Sequence, residues 1–149
     1  MQPLSVLVAE DHPVNQTFMA CLLQRLGHQA TFCENGALAL QTLQTQHYDI
    51  VLMDIHMPVM DGLTATRAIR ALPSALSHIP IVALTAHALL QFREQCLQSG
   101  FAAYATKPIT SAELGTLVSR WADRRATALV VDDSPEARQW TVRCLSHAG

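Results

Sequence analysis

The chain has 149 residues, of which 50% are apolar and 15% are charged, and its net charge is −2 at pH 7. This composition is typical of one globular domain with a remainder, and it disfavours wholesale disorder. It offers no basic surface for a nucleic-acid backbone. The longest apolar runs, such as residues 50–53, are far shorter than the roughly 20 residues that cross a bilayer. We therefore expect neither nucleic-acid binding nor membrane contact by this chain.

Short apolar runs alternate with amphipathic helical segments five times along the chain. The predicted strands are residues 4–9, 30–33, 50–53, 81–84 and 102–105, and the predicted helices follow them at 13–26, 38–43, 63–71, 89–97 and 110–121. Pro13 suits a first helical turn, Gly27 and Gly100 suit helix ends, and Thr110 with Glu113 forms a capping box. Continuous apolar strands that alternate with helices predict a doubly wound α/β domain, with a parallel sheet covered on both faces.

The four cysteines show no spacing that is typical of a metal or redox site. Cys21, Cys33, Cys96 and Cys144 lie far apart, without a CxxC pair. We expect them to be buried, reduced thiols of a cytoplasmic protein.

The end of the chain resembles its beginning. Residues 128–149 align with residues 6–27 at a constant offset, which places Asp133 under Asp11, and the matches fall on the strand, the acidic turn and both helix ends. The predicted organisation is a domain at 1–122, a linker at 123–127, and the first strand and helix of a second, truncated domain at 128–149. This extra βα unit lacks the rest of its sheet, so we expect disorder, docking, or a tail-mediated dimer.

Polar side chains follow four of the predicted strands at the point where each strand ends. Glu10 and Asp11 follow the first strand, Asp54 the third and Thr85 the fourth, and Lys107, the only lysine in the chain, follows the fifth. Each residue alone is most often a turn or cap residue. Because ligands of open parallel sheets bind beyond the carboxyl ends of the strands, we expect these groups to share one crevice.

The crevice would crowd three carboxylates together. Two such charges repel by about 1 kcal/mol at 4 Å in water, and by more at a lower effective dielectric constant. Lys107 supplies one compensating charge, and an all-oxygen site suits Mg²⁺, which leaves room for phosphate oxygens. A carboxylate nucleophile, Mg²⁺, a hydroxyl and an ammonium together favour phosphoryl transfer through an aspartyl phosphate.

Four segments of the chain closely resemble the receiver domain of two-component signalling. They are residues 6–15, 51–62, 83–86 and 104–109, and they occur in order and at family-like spacing within residues 4–122. The resemblance implies a flavodoxin-like fold, a five-stranded parallel sheet in the order 2-1-3-4-5. It also implies a cis peptide bond between Lys107 and Pro108.

The resemblance assigns a phosphoacceptor and a metal site. Asp54 would accept a phosphoryl group from a phosphohistidine. The implied Mg²⁺ ligands are Asp11, Asp54 and the backbone carbonyl of His56, with Glu10 assisting.

The resemblance also assigns phosphoryl-binding, switching and rate-tuning residues. Thr85, the amide of Ala86, and Lys107 would contact the phosphoryl oxygens, and Thr85 and Lys107 would share the catalysis with the acceptor. Tyr104 would rotate inward when Thr85 moves. His56 and His87 would tune the rate of dephosphorylation.

Asn15 and the residues from Thr85 to Ala88, together with the second receiver-like segment at 128–149, resemble the receiver arrays of bacterial hybrid sensor histidine kinases. We expect such a parent, which can be anchored in the inner membrane, and a histidine kinase or histidine phosphotransfer domain as the partner. The chain contains no kinase catalytic domain, so whether the fragment counts as an enzyme stays open.

Three other classes of protein share part of this pattern. A haloacid-dehalogenase-type phosphatase needs a second Asp where His56 stands, and a flavodoxin-like binder needs a phosphate loop where Glu10 and Asp11 would repel phosphate. The remaining alternative is a degenerate receiver that acts as a phosphorylation-independent interaction module.

Overall fold

The computed structural model describes residues 3–86 and 90–126 of the chain, and side chains are described except at 90–93 and 122–126. The strands are β1 (Ser5–Ala9), β2 (Gln29–Cys33), β3 (Ile50–Asp54), β4 (Ile81–Thr85) and β5 (Ala103–Thr106). The helices are α1 (Pro13–Arg25), α2 (Gly36–Leu43), α3 (Gly62–Arg70), α4 (Leu90–Ser99) and α5 (Ser111–Ala126), with a short 3-10 helix at Ala75–His78. All five predicted strand–helix units are present.

The strands form one parallel sheet in the order β2-β1-β3-β4-β5, which confirms the predicted topology. Chain order reverses beside β1, because β1 pairs with β2 on one side and with β3 on the other. The carboxyl ends of β1 and β3 are therefore adjacent. A crevice opens at this kind of reversal in doubly wound sheets, and it is the usual place for a ligand.

Two apolar layers bury the two faces of the sheet. Alternate residues of β1 point to opposite faces, so Val6 and Val8 join one cluster while Leu7 and Ala9 join the other. Side chains of α1 and α5 cover the first face, and side chains of α2 and α3 cover the second. Every residue of β3 is buried, as expected for a central strand of a covered parallel sheet.

The inner face of α1 is narrower than its sequence suggests. Met19, Leu22 and Leu23 are buried, whereas Val14 and Phe18 are 67% and 46% exposed. The helix carries a second apolar stripe that points to solvent, which simple periodicity does not separate from the first.

The expectation of buried cysteines is correct for two residues and wrong for one. Cys33 and Cys96 are buried, and burial raises the pKa of each thiol to about 11. Cys21 is exposed because it lies on the outer face of α1. Cys144 lies outside the described residues.

The ends of the helices follow the sequence signals. Gly27 and Gly100 have φ angles of +85° and +101°, the left-handed conformation that favours glycine after a helix. The Glu113 amide donates to the Thr110 hydroxyl at 3.1 Å, as the capping box predicts. The last helix runs to Ala126, so most of the linker predicted at 123–127 is helical.

The second, truncated domain predicted at 128–149 lies outside the described residues. Among the helices that the structure describes, none has the length and hydropathy needed to cross a bilayer.

Candidate functional site at the carboxyl edge of the sheet

Three carboxylates meet where chain order reverses in the sheet. Glu10 and Asp11 follow the last residue of β1, and Asp54 is the last residue of β3. One oxygen from each carboxylate lies within 4.8 Å of the others. Glu10 and Asp54 are buried and Asp11 is exposed, so the cluster opens to solvent on the Asp11 side.

Lys107 brings a positive charge into this cluster. Its Nζ donates to Glu10 Oε1 at 2.7 Å and lies 3.1 Å from Asp54 Oδ2. The backbone N–H of Lys107 donates to the Thr85 carbonyl at 2.7 Å, which ties this residue to the end of β4. The Lys107–Pro108 peptide bond is cis, as the family resemblance implies.

Backbone contacts hold Glu10 in place. Its Oε2 accepts from the His12 amide at 3.0 Å, and its carbonyl accepts from the Gln16 side chain at 2.6 Å. Its own amide donates to the Cys33 carbonyl at 2.9 Å. Glu10 therefore has little freedom to rotate, and it presents one oxygen to Lys107.

Burial and pairing shift the pKa values of the buried acids in opposite directions. Burial alone would raise the pKa of Glu10, but the hydrogen bonds from Lys107 and His12 outweigh it and lower the pKa. Burial raises the pKa of Asp54, and the attraction of Lys107 does not fully offset burial and the repulsion of Glu10. Asp54 is thus the acid that an added cation would relieve most.

Lys107 remains charged despite its partial burial. Burial alone would lower the pKa of its ammonium, but the hydrogen bond to Glu10 and the charge of Asp54 raise it. The site therefore holds a fixed positive charge beside Asp54 across the neutral range.

Two further predicted residues flank the carboxylates. Thr85 ends β4, one position beyond Leu84, the residue that pairs with Asp54, and it is 1% exposed. Ala86 follows Thr85 and is exposed. Both lie at the edge that carries Asp54 and Lys107.

The remaining predicted residues lie further from the cluster or outside the described part. Tyr104 is half-buried in β5 and packs against the second apolar cluster. His56 is exposed two residues after Asp54. His87 lies outside the described residues.

The loop that follows Asp54 is closed on itself. The Gly62 amide donates to the Ile55 carbonyl at 2.8 Å, and the Met60 amide donates to the Pro58 carbonyl at 2.7 Å. This second bond makes a γ-turn centred on Val59, whose φ of 68° is unusual for a β-branched residue. The turn stores backbone strain of about 1–3 kcal/mol, which other contacts of the loop must offset.

An apolar groove borders the acidic cluster. It has a volume of about 320 Å³, and Phe18, Met19 and Ile109 line it together with Glu10 and Lys107. Among the lining residues, Phe18 is the exposed large hydrophobic side chain. The sequence alone did not reveal the groove, because its helical spacing predicts one apolar face for this helix, at Val14, Phe18, Cys21, Leu22 and Leu26. The clue was that these residues cover too wide an arc for one helix face.

The donor set fits a hard divalent cation. Oxygen atoms from three carboxylates point toward one volume, and the ammonium of Lys107 balances only part of their charge. Carboxylate, carbonyl and water oxygens are the ligands that Mg²⁺ prefers in proteins. The exposed side of Asp11 leaves room for water or for an incoming oxygen.

A family model, a curated relative and solved structures all match this chain as a receiver domain. The response regulator receiver domain family matches residues 6–119. The sensor protein GacS of Pseudomonas syringae pv. syringae is 42% identical over 118 residues, which cover 78% of this chain and 13% of GacS. The chain therefore spans a small part of the length of this relative.

Two solved structures have the same fold. One is the receiver domain of the sensor histidine kinase PA1611 from Pseudomonas aeruginosa PAO1, with magnesium coordinated in its active-site cleft. It is 43% identical, with a TM-score of 0.76, and the match covers 82% of this chain and 99% of that one. The other contains the Saccharomyces cerevisiae phosphotransfer protein Ypd1 with the receiver domain of its downstream response regulator Ssk1. It matches at 25% identity and a TM-score of 0.76, over 89% of this chain and 95% of that one.

Proposed function

Because the chain belongs to the response regulator receiver domain family, we propose that it accepts a phosphoryl group on Asp54 from a phosphohistidine of a partner protein. The observation that supports this most is the pairing of an acid cluster, buried at Glu10 and Asp54, with a single ammonium that lies 3.1 Å from Asp54 Oδ2. This arrangement leaves Asp54 as a carboxylate with a raised pKa and an open approach from solvent on the Asp11 side.

The proposed step is an in-line transfer between two side chains. A carboxylate oxygen of Asp54 attacks the phosphorus atom, and the bond from phosphorus to the imidazole nitrogen of the donor breaks. The imidazole carries a proton on its other ring nitrogen, so it leaves with the electron pair of that bond as a neutral histidine, and no oxidation state changes. Positioning and charge neutralisation supply most of the catalysis in reactions of this kind.

We propose that Asp11, Asp54 and the backbone carbonyl of His56 hold Mg²⁺, with Glu10 assisting. When bound, the ion neutralises charge on the acids and on the phosphoryl oxygens. The support from this chain is the donor set itself: three carboxylate oxygens lie within 4.8 Å of one another, and only the Lys107 ammonium pairs with them among the described residues.

Groups at the ends of β4 and β5 would respond to the phosphorylation of Asp54. Thr85, the amide of Ala86, and Lys107 would bind the phosphoryl oxygens, since Thr85 ends β4, Ala86 follows it, and Lys107 follows β5 at the same edge. An aspartyl phosphate adds charge and acceptor oxygens, so its contacts would favour the conformation in which Thr85 lies nearer the acceptor. Tyr104, half-buried on β5, would respond by moving inward.

His56 is proposed to tune the lifetime of the phosphate, together with His87. The exposure of His56, two residues beyond Asp54, supports this role because a side chain there can reach the water that attacks the acyl phosphate.

The groove beside the acids is proposed as part of the surface that receives the donor. Val14 and Phe18 on α1 are 67% and 46% exposed. Val59 is 85% exposed and lies on the acceptor loop, which is the segment at residues 55–61 between β3 and α3. An apolar rim around a charged centre suits a partner that presents one phosphohistidine on an apolar helix face. A histidine kinase or a histidine phosphotransfer domain has this chemistry.

We propose that the parent protein is a bacterial hybrid sensor histidine kinase, which can be anchored in the inner membrane with this domain in the cytoplasm. The support is that the chain matches a small part of a much longer sensor protein and nearly all of the receiver domain of a sensor kinase. The site would then carry out one step of phosphoryl transfer in a phosphorelay.

The test is the intact mass of the chain after incubation with acetyl phosphate, with and without Mg²⁺, compared with Asp54→Asn. We expect a Mg²⁺-dependent gain of one phosphoryl group, roughly 80 Da, that the variant lacks. Asp61→Asn serves as the matched control, because Asn replaces Asp as the N-cap of α3 without touching the acid cluster. Absence of any gain, despite Mg²⁺ binding, would favour the phosphorylation-independent interaction module.

A further inference from the structure

The turn between β2 and α2 packs directly against the acceptor loop. The amide of Gly36 donates to the Met60 carbonyl at 2.9 Å. A Cβ added at Gly36 would lie 2.7 Å from the Met60 carbonyl oxygen, 2.9 Å from the Asp61 carbonyl oxygen and 2.7 Å from the Cβ of Ala65. Two of these three neighbours belong to the backbone of the acceptor loop.

Space, and not backbone conformation, requires glycine at this position. Gly36 is the first residue of α2, and its φ lies outside the left-handed range. Its amide has no partner within the helix, because the first amides of a helix lack an acceptor one turn earlier. This amide is therefore available to bind another segment, and it binds Met60.

The contact lies where the acceptor loop is strained. The loop is closed at its base by the Gly62–Ile55 bond and turns sharply at Val59, whose φ is 68°. Met60 is the residue that closes this γ-turn on Pro58, and its carbonyl is the group that Gly36 binds. Without that bond, Val59 could relax to a negative φ, and the segment from His56 to Pro58 would move with it.

We propose that Gly36 is a positioning residue that holds the acceptor loop, and with it the His56 carbonyl, in the geometry that binds the metal. This inference rests on the proposed function, because it takes the His56 carbonyl as a ligand of Mg²⁺. The glycine touches neither the phosphoryl group nor the metal. It acts through Met60 and the γ-turn.

The test is Gly36→Ala, assayed for three quantities. They are Mg²⁺ affinity by calorimetry with the metal alone, the phosphorylation rate with acetyl phosphate as a function of Mg²⁺, and the free energy of unfolding in urea. We expect Mg²⁺ to bind about tenfold more weakly, as is typical when a group that supports a metal ligand is displaced. Phosphorylation should slow by a similar factor at low Mg²⁺ and recover as Mg²⁺ is raised.

A double variant separates the loop from the helix packing. Gly36→Ala with Ala65→Gly removes the clash with α3 but leaves the new Cβ against the Met60 and Asp61 carbonyls. Its stability should recover only in part, because the contact with the carbonyls remains and glycine inside α3 destabilises that helix. Its Mg²⁺ affinity should remain about tenfold reduced. If the double variant regains full Mg²⁺ affinity, the defect came from α3 and the proposal is wrong. If the single variant does not fold, the double variant decides the question.

Gly115→Ala is the matched control. Gly115 lies inside α5, and an added Cβ would make an ordinary contact with Leu26 at 3.5 Å. This variant should keep the Mg²⁺ affinity and phosphorylation rate of the parent chain. A parent chain that binds Mg²⁺ but is not phosphorylated would disprove the proposed function, while the metal titrations would still test Gly36. Equal Mg²⁺ affinities for the parent chain and both Gly36 variants would disprove the positioning role.

Discussion

The two edges of the sheet use buried polar side chains in opposite ways. At the amino edge, Asp49 Oδ2 accepts from the Ser5 amide at 2.8 Å, and His28 Nδ1 accepts from the Leu4 amide at 3.0 Å. Each side chain there satisfies a backbone donor where β1 begins. At the carboxyl edge, Glu10 and Asp54 face each other and share the ammonium of Lys107.

The difference separates stability from function within one sheet. A buried backbone amide without an acceptor destabilises the fold, so the side chains of the amino edge contribute to stability outright. The carboxyl edge concentrates like charges and a strained turn, both of which lower the stability of the fold. A bound cation would relieve the repulsion between the charges. Ligand-binding sites often lower the stability of the fold, because their side chains are arranged for binding and not for stability.

The largest expected effect is at the carboxyl edge, where Lys107→Met would leave two buried acids without their cation. We expect a loss of about 3 kcal/mol in the free energy of unfolding without metal, since removing one member of a buried ion pair is strongly destabilising. Saturating Mg²⁺ should reduce the difference in free energy of unfolding between Lys107→Met and the parent chain. The divalent ion replaces the missing positive charge, and in the variant it does not compete with the ammonium for the acids. Urea unfolding with and without Mg²⁺ measures both quantities.

Arg25→Met is the control for this substitution. Arg25 is exposed in the last turn of α1, at the opposite end of that helix from Glu10 and Asp11. Its loss should change the free energy of unfolding by less than about 0.5 kcal/mol, as is usual for surface positions, with or without Mg²⁺. If Mg²⁺ does not change the loss in free energy of unfolding for Lys107→Met, the Lys107 side chain stabilises the fold mainly through packing and not through its charge.

At the amino edge, Asp49→Ala would remove the acceptor of the Ser5 amide. Because the Ser5 amide is only partly buried, we expect a loss of about 1–2 kcal/mol, within the range for a donor left without a partner. The Asp49 side chain is 9% exposed, so water would not readily replace it. Mg²⁺ should leave this loss unchanged, in contrast to Lys107→Met. Urea unfolding with and without Mg²⁺ measures this loss. If Mg²⁺ restores the stability of Asp49→Ala, the two edges do not differ in this way.

Most of the architecture could be predicted because local and global signals agree. The continuous apolar strands, the helix-ending glycines and the capping box at Thr110 each indicate the element that the structure contains. The convergence of Glu10, Asp11, Asp54 and Lys107 followed from one rule, since the carboxyl ends of parallel strands share an edge.

The parts that could not be predicted depend on contacts between segments distant in sequence. The outer apolar stripe of α1 could not be separated from the core stripe, because Val14 and Phe18 fit a helical period as well as buried residues do. The packing of Gly36 on Met60 joins two loops that lie 24 residues apart, and its amide looks like an ordinary helix start. The exposed Cys21 was misassigned for the same reason as Val14.

The smallest expected effect is a gain in stability from Asp54→Asn. Burial raises the pKa of Asp54 in the folded chain, so the folded state binds a proton at this carboxyl more tightly than the unfolded state does. Above that pKa the ionised Asp54 therefore destabilises the fold, and a neutral amide should stabilise it by about 1 kcal/mol at pH 7 without metal. Urea unfolding across a pH series measures the difference.

The pH dependence of this difference distinguishes charge from packing. As the pH falls through the raised pKa of Asp54, the parent chain becomes neutral at this position and gains stability, so the advantage of Asp54→Asn should disappear. Mg²⁺ should reverse the order at pH 7, because it stabilises the parent chain through a ligand that the variant lacks. Asp61→Asn should show neither change, since Asp61 caps α3 and lies outside the acid cluster. A constant advantage at every pH would indicate that shape at position 54, and not its charge, makes the carboxyl edge the less stable of the two.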